Sequence, residues 1–162
     1  MCTFSIIIPL YNKANSIEKT LKSVFDQSFT DYEVVVINDG STDKSEQKIN
    51  RFSDKRIRLI TTENRGVSQA RNTGIEAAKG KLIAFLDADD VWKPEKLEKQ
   101  LAFMESNKLP FTFSFYDCID EHGASLNRRI KAPVKLSYRQ LFFCNFIGNL
   151  TGIYDTDYFG KI

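Results

Sequence analysis

The sequence predicts an α/β protein in which a mostly parallel sheet carries helices on both faces. Three observations lead there. The short unbroken apolar runs Ile6–Ile8, Val34–Ile37 and Leu82–Leu86 suit strands covered on both sides. Segments with apolar residues at helical spacing alternate with them, giving a repeated strand–helix order. The three runs end in loops rich in Pro, Asn, Asp, Gly or Ser, residues that favour turns.

Taken in order, Ser5–Pro9 is the first strand, and Pro9 ends its hydrogen-bond ladder. Asn15 stands three residues before Glu18, a capping-box-like start. Ile17, Leu21, Val24 and Phe25 then form one apolar helix face. Glu33–Ile37 is the second strand; it stops at Asn38-Asp39-Gly40-Ser41, and a polar helix to about Phe52 is expected. Ile57–Ile60 is a short third strand. Asn64-Arg65-Gly66 turns the chain into a helix over Val67–Ala78, with Gly80 expected as its C-cap. Lys81–Leu86 is the fourth strand and runs into Asp87-Ala88-Asp89-Asp90. Pro94 suits the first turn of a helix striped by Leu97, Leu101 and Met104. Beyond it, Phe111–Tyr116 is expected as a strand and Asp120–Gly123 as a turn. Ser137 is expected to cap a short helix, and Thr151–Tyr154 to form another strand. No closing element is expected after them.

The chain has 162 residues and a net charge of +2, from 23 Lys and Arg against 21 Asp and Glu. That length suits a single domain spanning 1–162, which would bury about 70% of its unfolded surface. The apolar fraction of 42% excludes a disordered chain. The near-neutral balance offers no overall field for nucleic acid. No run approaches the ~20 apolar residues of a membrane span, and no signal peptide is visible. Cys2, Cys118 and Cys144 are odd in number and unpaired in spacing, which points to reduced thiols in a soluble cytoplasmic protein.

Ligands of open parallel sheets collect at the carboxyl ends of the strands. Three strand ends here carry side chains with ligand chemistry: Pro9-Leu10-Tyr11-Asn12, Asn38–Ser41 and Asp87–Asp90. Asp87 and Asp89 would repel one another unless a cation offsets their charge. A hard divalent ion, Mn²⁺ or Mg²⁺, takes one or two carboxylates together with substrate phosphates. The competing interpretation is a solvated turn that favours the next helix start. Tyr11 could stack on a base or be an ordinary half-buried tyrosine. Asp39 could accept hydrogen bonds from a base or ribose, or simply support the turn at Gly40. Arg71, beside Ala70 and Gly74, could pair with Asp39 or Asp87, touch a nucleotide, or be solvated. His122 reads as an exposed turn residue, leaving no basis for a histidine triad.

With those residues in place, the sequence resembles the family-2 glycosyltransferases, inverting enzymes of the GT-A fold. The stretches that carry the resemblance are SIIIPLYN (5–12), VVVINDGSTD (34–43) and NRGVSQARNTGIEAAKGKLIAFLDADDVW (64–92). The resemblance implies a nucleotide-diphospho-sugar transferase fold with a Rossmann-like sheet. Residues 1–107 would be its nucleotide-binding half, and 108–162 the start of an acceptor half. Pro9 and Tyr11 would frame the uracil of a UDP-sugar, with Asp39 and Arg71 close to the base or ribose. Asp87 would reach the ribose or a metal-bound water, and Asp89 would ligate Mn²⁺ or Mg²⁺. The acceptor would be a saccharide or lipid-linked hydroxyl, in polysaccharide synthesis at the inner face of the membrane.

The resemblance places the catalytic base in an acidic pair beyond Ile162. Asp120-Glu121 comes too early, and Asp155 and Asp157 flank what reads as a lead-in helix. Residues 1–162 are therefore expected to bind nucleotide and metal with weak or no transfer. Two other functions fit parts of the sequence. One is a non-catalytic nucleotide-sugar-binding fragment. The other is a haloacid-dehalogenase-like phosphatase, whose D-x-D-x-[TV] motif Asp87–Val91 would match, although that family carries it on the first strand.

Overall fold

A computed structural model describes residues 2–120, 122–137, 139–140 and 147–161. The apolar runs form β1 (Phe4–Leu10), β2 (Tyr32–Asp39), β3 (Ile57–Thr62) and β4 (Leu82–Phe85). All residues of β1 and β2 are buried, as expected for strands covered on both faces. Later segments add β5 (Phe111–Thr112), β6 (Tyr116–Ile119), β7 (Ser125–Ile130) and β8 (Ile153–Asp155). The main sheet has the order β3-β2-β1-β4-β8-β5. The β1–β2, β1–β4 and β2–β3 pairs are parallel, whereas β8 runs antiparallel to β4 and β5. The other two strands form a separate antiparallel hairpin.

The helices are α1 (Ile17–Phe25), α2 (Ser45–Ile49), α3 (Val67–Ala77), α4 (Lys96–Asn107) and α5 (Thr156–Phe159). Side chains alternate across the strands with a period of two, so each strand feeds two cores. Ile6, Ile8, Val34 and Val36 meet Ile17, Leu21 and Val24 of α1 and Leu97 and Met104 of α4. On the other face, Ile7 and Ile83 meet Ile75 of α3, while Val35 and Ile37 meet Ala70. Gly74 faces Ile7, so α3 lies close on β1 where a larger side chain would hold it off.

Several local expectations are corrected. Asn15 does not cap α1; Ser16 holds the N-cap position, and its hydroxyl donates to Ala88 O instead (2.9 Å). Gly80 is not a C-cap: α3 ends at Ala77 and the chain leaves in extended form at Ala78. The Phe111–Tyr116 segment is split between β5 and the start of β6. β7 was not anticipated, because its exposed residues lack an apolar face. The Asp120–Gly123 turn joins it to β6 and closes through Gly123 N to Asp120 O (2.9 Å). Asn149–Thr151 is a 3₁₀ turn leading into β8, and α5 closes the described chain. Ser137 makes reciprocal capping bonds with Gln140, but most of the helix expected there, with Cys144, lies outside the described residues. Cys2 and Cys118 are free thiols.

Candidate active site

The carboxyl ends of the parallel strands enclose a cleft of about 380 Å³. Pro9, Tyr11, Asp39, Arg71, Asp87 and Asp89 all line it, together with Lys13, Asn64 and Gly66. Loops separated by up to 80 residues of sequence thus converge on one space.

The first two loops are laced together. Asn12, at φ 51°, accepts the Thr42 N–H (2.8 Å), and its own N–H donates to Ser41 Oγ (3.1 Å). Farther along, Lys13 N donates to Ser45 Oγ (2.9 Å) and Ala14 N to Asp43 Oδ2 (3.0 Å). These bonds hold Tyr11 at the rim, where it lines the cleft with Pro9 and keeps 48% of its surface exposed.

Asp39 closes β2 and is buried. Its two oxygens accept the N–H groups of Arg65 and Gly66, both at 2.9 Å. The turn at Gly40 is supported instead by Asn38, whose Oδ1 accepts the Ser41 N–H (3.0 Å). Asp39 therefore ties the end of β2 to the start of α3, where Gly66 adopts φ 89°. That helix presents Arg71 to the cleft, and Arg71 Nη2 donates to Asp87 Oδ1 (2.7 Å). Of the two partners considered for Arg71, the structure selects Asp87. With the Asn149 amide turned so that its oxygen faces the same guanidinium, that oxygen accepts from Nη2 at 2.6 Å and from Nε at 2.8 Å.

The acidic loop after β4 is fixed from behind. Ser16 Oγ and Thr20 Oγ1 both donate to Ala88 O, at 2.9 and 3.0 Å. In front, Lys13 Nζ pairs with Asp89 Oδ2 at 2.6 Å. The carboxylate repulsion anticipated from the sequence is thus offset here by two basic side chains, Arg71 on Asp87 and Lys13 on Asp89. Among the described residues, no group of three or more His, Cys, Asp or Glu side chains is poised to hold a metal. Asp87 and Asp89 nonetheless offer oxygen donors of the kind a hard divalent ion would take alongside substrate phosphates.

Asp90 is the third carboxylate of the loop. Burial, then the charges of Asp87 and Asp89, push its carboxyl up to about 6. Because the folded value is raised, the ionised form opposes folding. Its penalty is absent below about pH 4 and develops as pH rises toward and through 6. Asp90→Asn should therefore stabilise the metal-free protein at neutral pH by about 1 kcal/mol, a discounted fraction of the ~3 kcal/mol that a rise to about 6 could carry. Urea unfolding in chelator at about pH 7.5 and 4.5 checks this: the gain should shrink at the lower pH.

Asp155 and Asp157 lie elsewhere. β8 runs antiparallel to β4 with Asp155 opposite Leu82, at the strand's amino end. Both carboxylates pair with Lys81 at 3.4 Å, away from the cleft. His122 is exposed in the turn before β7. Sequence reasoning missed Lys13 and Asn149, whose partners are remote in the chain.

A profile of the family described as Glycosyl transferase family 2 matches residues 5–157. The chain is 39% identical over 152 residues to an Escherichia coli protein named UDP-Glc:alpha-D-GlcNAc-diphosphoundecaprenol beta-1,3-glucosyltransferase WfgD, covering 93% of this chain and 59% of that one. A second E. coli protein of the same named activity, WfaP, is 36% identical over 143 residues, covering 87% and 56%. The chain spans about three fifths of the length of these relatives. Among solved structures, S. aureus TarS 1-349 in complex with UDP-GlcNAc superposes with a TM-score of 0.77 at 26% identity, covering 95% of this chain and 45% of that one. A Pyrobaculum calidifontis mannosyltransferase, solved with GDP-Man and Mn²⁺, shares the fold at 20% identity and a TM-score of 0.67, covering 96% and 45%. The mainly parallel sheet is thus that of the GT-A glycosyltransferases, and the phosphatase interpretation of Asp87–Val91 is set aside. The chain belongs to glycosyl transferase family 2.

Proposed function

We propose that this chain binds a UDP-sugar and serves the transfer of its sugar, with inversion, to the hydroxyl of a saccharide or lipid-linked acceptor. The observation that carries this reading is the convergence of Pro9, Tyr11, Asp39, Arg71, Asp87 and Asp89 on one cleft. The UDP-GlcNAc complex of TarS is consistent with it. In this reading Tyr11 takes the uracil, and Arg71 bounds the base side. Asp39 acts mainly by holding the Arg65–Gly66 loop against the nucleotide. Asp87 and Asp89 would hold Mn²⁺ or Mg²⁺, which supplies Lewis-acid stabilisation of the leaving diphosphate. Lys13, paired with Asp89, stands ready to contact phosphate oxygens once the carboxylate is engaged.

The acceptor hydroxyl needs a base on the face opposite the leaving group. Asp155 and Asp157 point to the other end of the sheet, paired with Lys81, so we assign the base to neither of them. Residues 1–162 should bind UDP and metal yet show little transfer. Robust metal-dependent transfer by this chain alone would refute that expectation. The domain organisation proposed is a nucleotide half, 1–107, whose sheet is completed by β8 and β5 from residues 108–162. The location proposed is the cytoplasmic side of a membrane.

Calorimetric titration of UDP with and without Mn²⁺ tests the site. Mn²⁺ should tighten UDP binding in the parent chain, and Asp89→Ala should remove at least about tenfold of that gain, on the scale of losing a metal ligand or its support. A metal-dependent gain that survives Asp89→Ala would end the proposal.

A further inference from the structure

The net charge of +2 conceals a strong segregation. From His122 to Tyr154 there are five Lys and Arg residues and no Asp or Glu. The rest of the chain holds 18 cations against 21 acids. The cations all fall between β7 and Arg139, where most of the described residues are turned to solvent. Arg128, Arg129, Lys131, Lys135 and Arg139 are all exposed. Only Arg129 is neutralised: its guanidinium donates to Asp117 at 2.6 and 3.1 Å. Arg128, Lys131, Lys135 and Arg139 make no ion pair among the described residues. Large apolar side chains are interleaved with these cations, Leu126 at 57% exposure and Val134 at 87%, with Phe115 at 49% on the strand side.

Cations and exposed aliphatic groups interleaved along one segment suit the interface of an anionic bilayer, where headgroups attract the charges and the acyl boundary accepts the apolar side chains. A free polyanion would satisfy the charges and leave Leu126 and Val134 wet. The hairpin is also placed where such contact would matter. Its turn at Gly123 rests against Lys19 of α1. Lys93, three residues beyond the acidic loop, donates to Asp117 of β6 at 2.7 Å. Both anchors belong to the end of the sheet that carries the cleft.

We infer that the β6–β7 hairpin and the segment through Arg139 form a docking surface for an anionic phospholipid membrane. This goes beyond the nucleotide reading and is read out without nucleotide. The remainder of the chain is net acidic, so contact through this face orients the molecule with its cleft end toward the lipid.

Vesicle co-sedimentation of the 162-residue chain tests it. The chain should pellet with phosphatidylcholine vesicles containing about one third phosphatidylglycerol and stay soluble with phosphatidylcholine alone. Binding should weaken steeply with salt. The triple reversal Arg128→Glu, Lys131→Glu, Lys135→Glu should cost at least about a hundredfold, since each basic residue near such a surface contributes roughly fivefold. The pair Leu126→Asn, Val134→Asn should weaken vesicle binding severalfold while leaving binding to a soluble acidic polysaccharide, polygalacturonate, unchanged. All of these residues are exposed, and an unchanged thermal melt confirms that the variants fold. Equal sedimentation with neutral vesicles, or undiminished binding by the triple variant, would overturn the inference. So would binding to polygalacturonate tighter than to vesicles and indifferent to Leu126 and Val134, which would identify the face as a saccharide surface.

Discussion

Gly80→Ala should destabilise the protein by about 3 kcal/mol or more, a large share of a domain's total stability. Gly80 is buried, and a Cβ there would lie 2.5 Å from both the carbonyl carbon of Phe4 and the nitrogen of Ser5. Those atoms belong to the backbone of β1, which is paired on both sides and cannot withdraw. The 79–81 segment would have to lift instead. Lifting it breaks the bonds of Gly80 N to Ser5 Oγ (2.8 Å) and of Lys79 N to Glu33 Oε1 (2.6 Å). Glu33 is buried, and despite that burial its carboxyl is held below the usual range by Ser5, Arg58 and the Lys79 N–H. Removing one donor from a buried carboxylate adds to the steric cost. Equilibrium urea unfolding of Gly80→Ala checks this. A change under 1 kcal/mol would mean that the 79–81 segment yields freely.

Gly80 also shows where sequence reasoning reached its limit. A glycine just after a helix reads as a left-handed cap, because local conformation is all that neighbouring residues reveal. Its actual constraint is the approach of a strand more than 70 residues earlier. The same limit explains Lys13 and Asn149, whose partners Asp89 and Arg71 lie on other elements. β7 escaped for a different reason. Ser-Leu-Asn-Arg-Arg-Ile has no buried face, and backbone pairing with β6 makes it a strand. By contrast, β1, β2 and β4 were legible because strands buried on both faces must be apolar throughout. The cleft residues were legible because parallel strands deliver their carboxyl ends to one edge, so three polar loops after three apolar runs had to meet. What the sequence could not show is that Asp87 and Asp89 already carry basic partners. The charge argument alone left a metal as the natural counterion.

Asp39→Ala should act on stability and on nucleotide binding together. The side chain is 3% exposed and satisfies two backbone N–H groups at 2.9 Å. Truncation leaves both without a partner, at about 1–3 kcal/mol each where water cannot reach them. It also unties the end of β2 from the turn that starts α3, the helix that carries Arg71. Gly40, at φ 69°, touches the same turn: a Cβ there would lie 2.9 Å from Asn64 N, so close contact already holds this wall of the cleft together. UDP affinity should therefore fall by at least about tenfold, with the loss also present when Mn²⁺ is omitted, since Asp39 stands apart from the acidic loop. Asp39→Asn keeps one acceptor oxygen but sets its NH₂ against the second N–H, so it should recover only part of the stability. Unfolding free energies and UDP titrations of both variants, with and without Mn²⁺, separate the two roles. If Asp39→Ala binds UDP normally while unfolding more easily, Asp39 is a structural clamp alone. A loss confined to the Mn²⁺-dependent part would instead move Asp39 into the metal-binding group with Asp89.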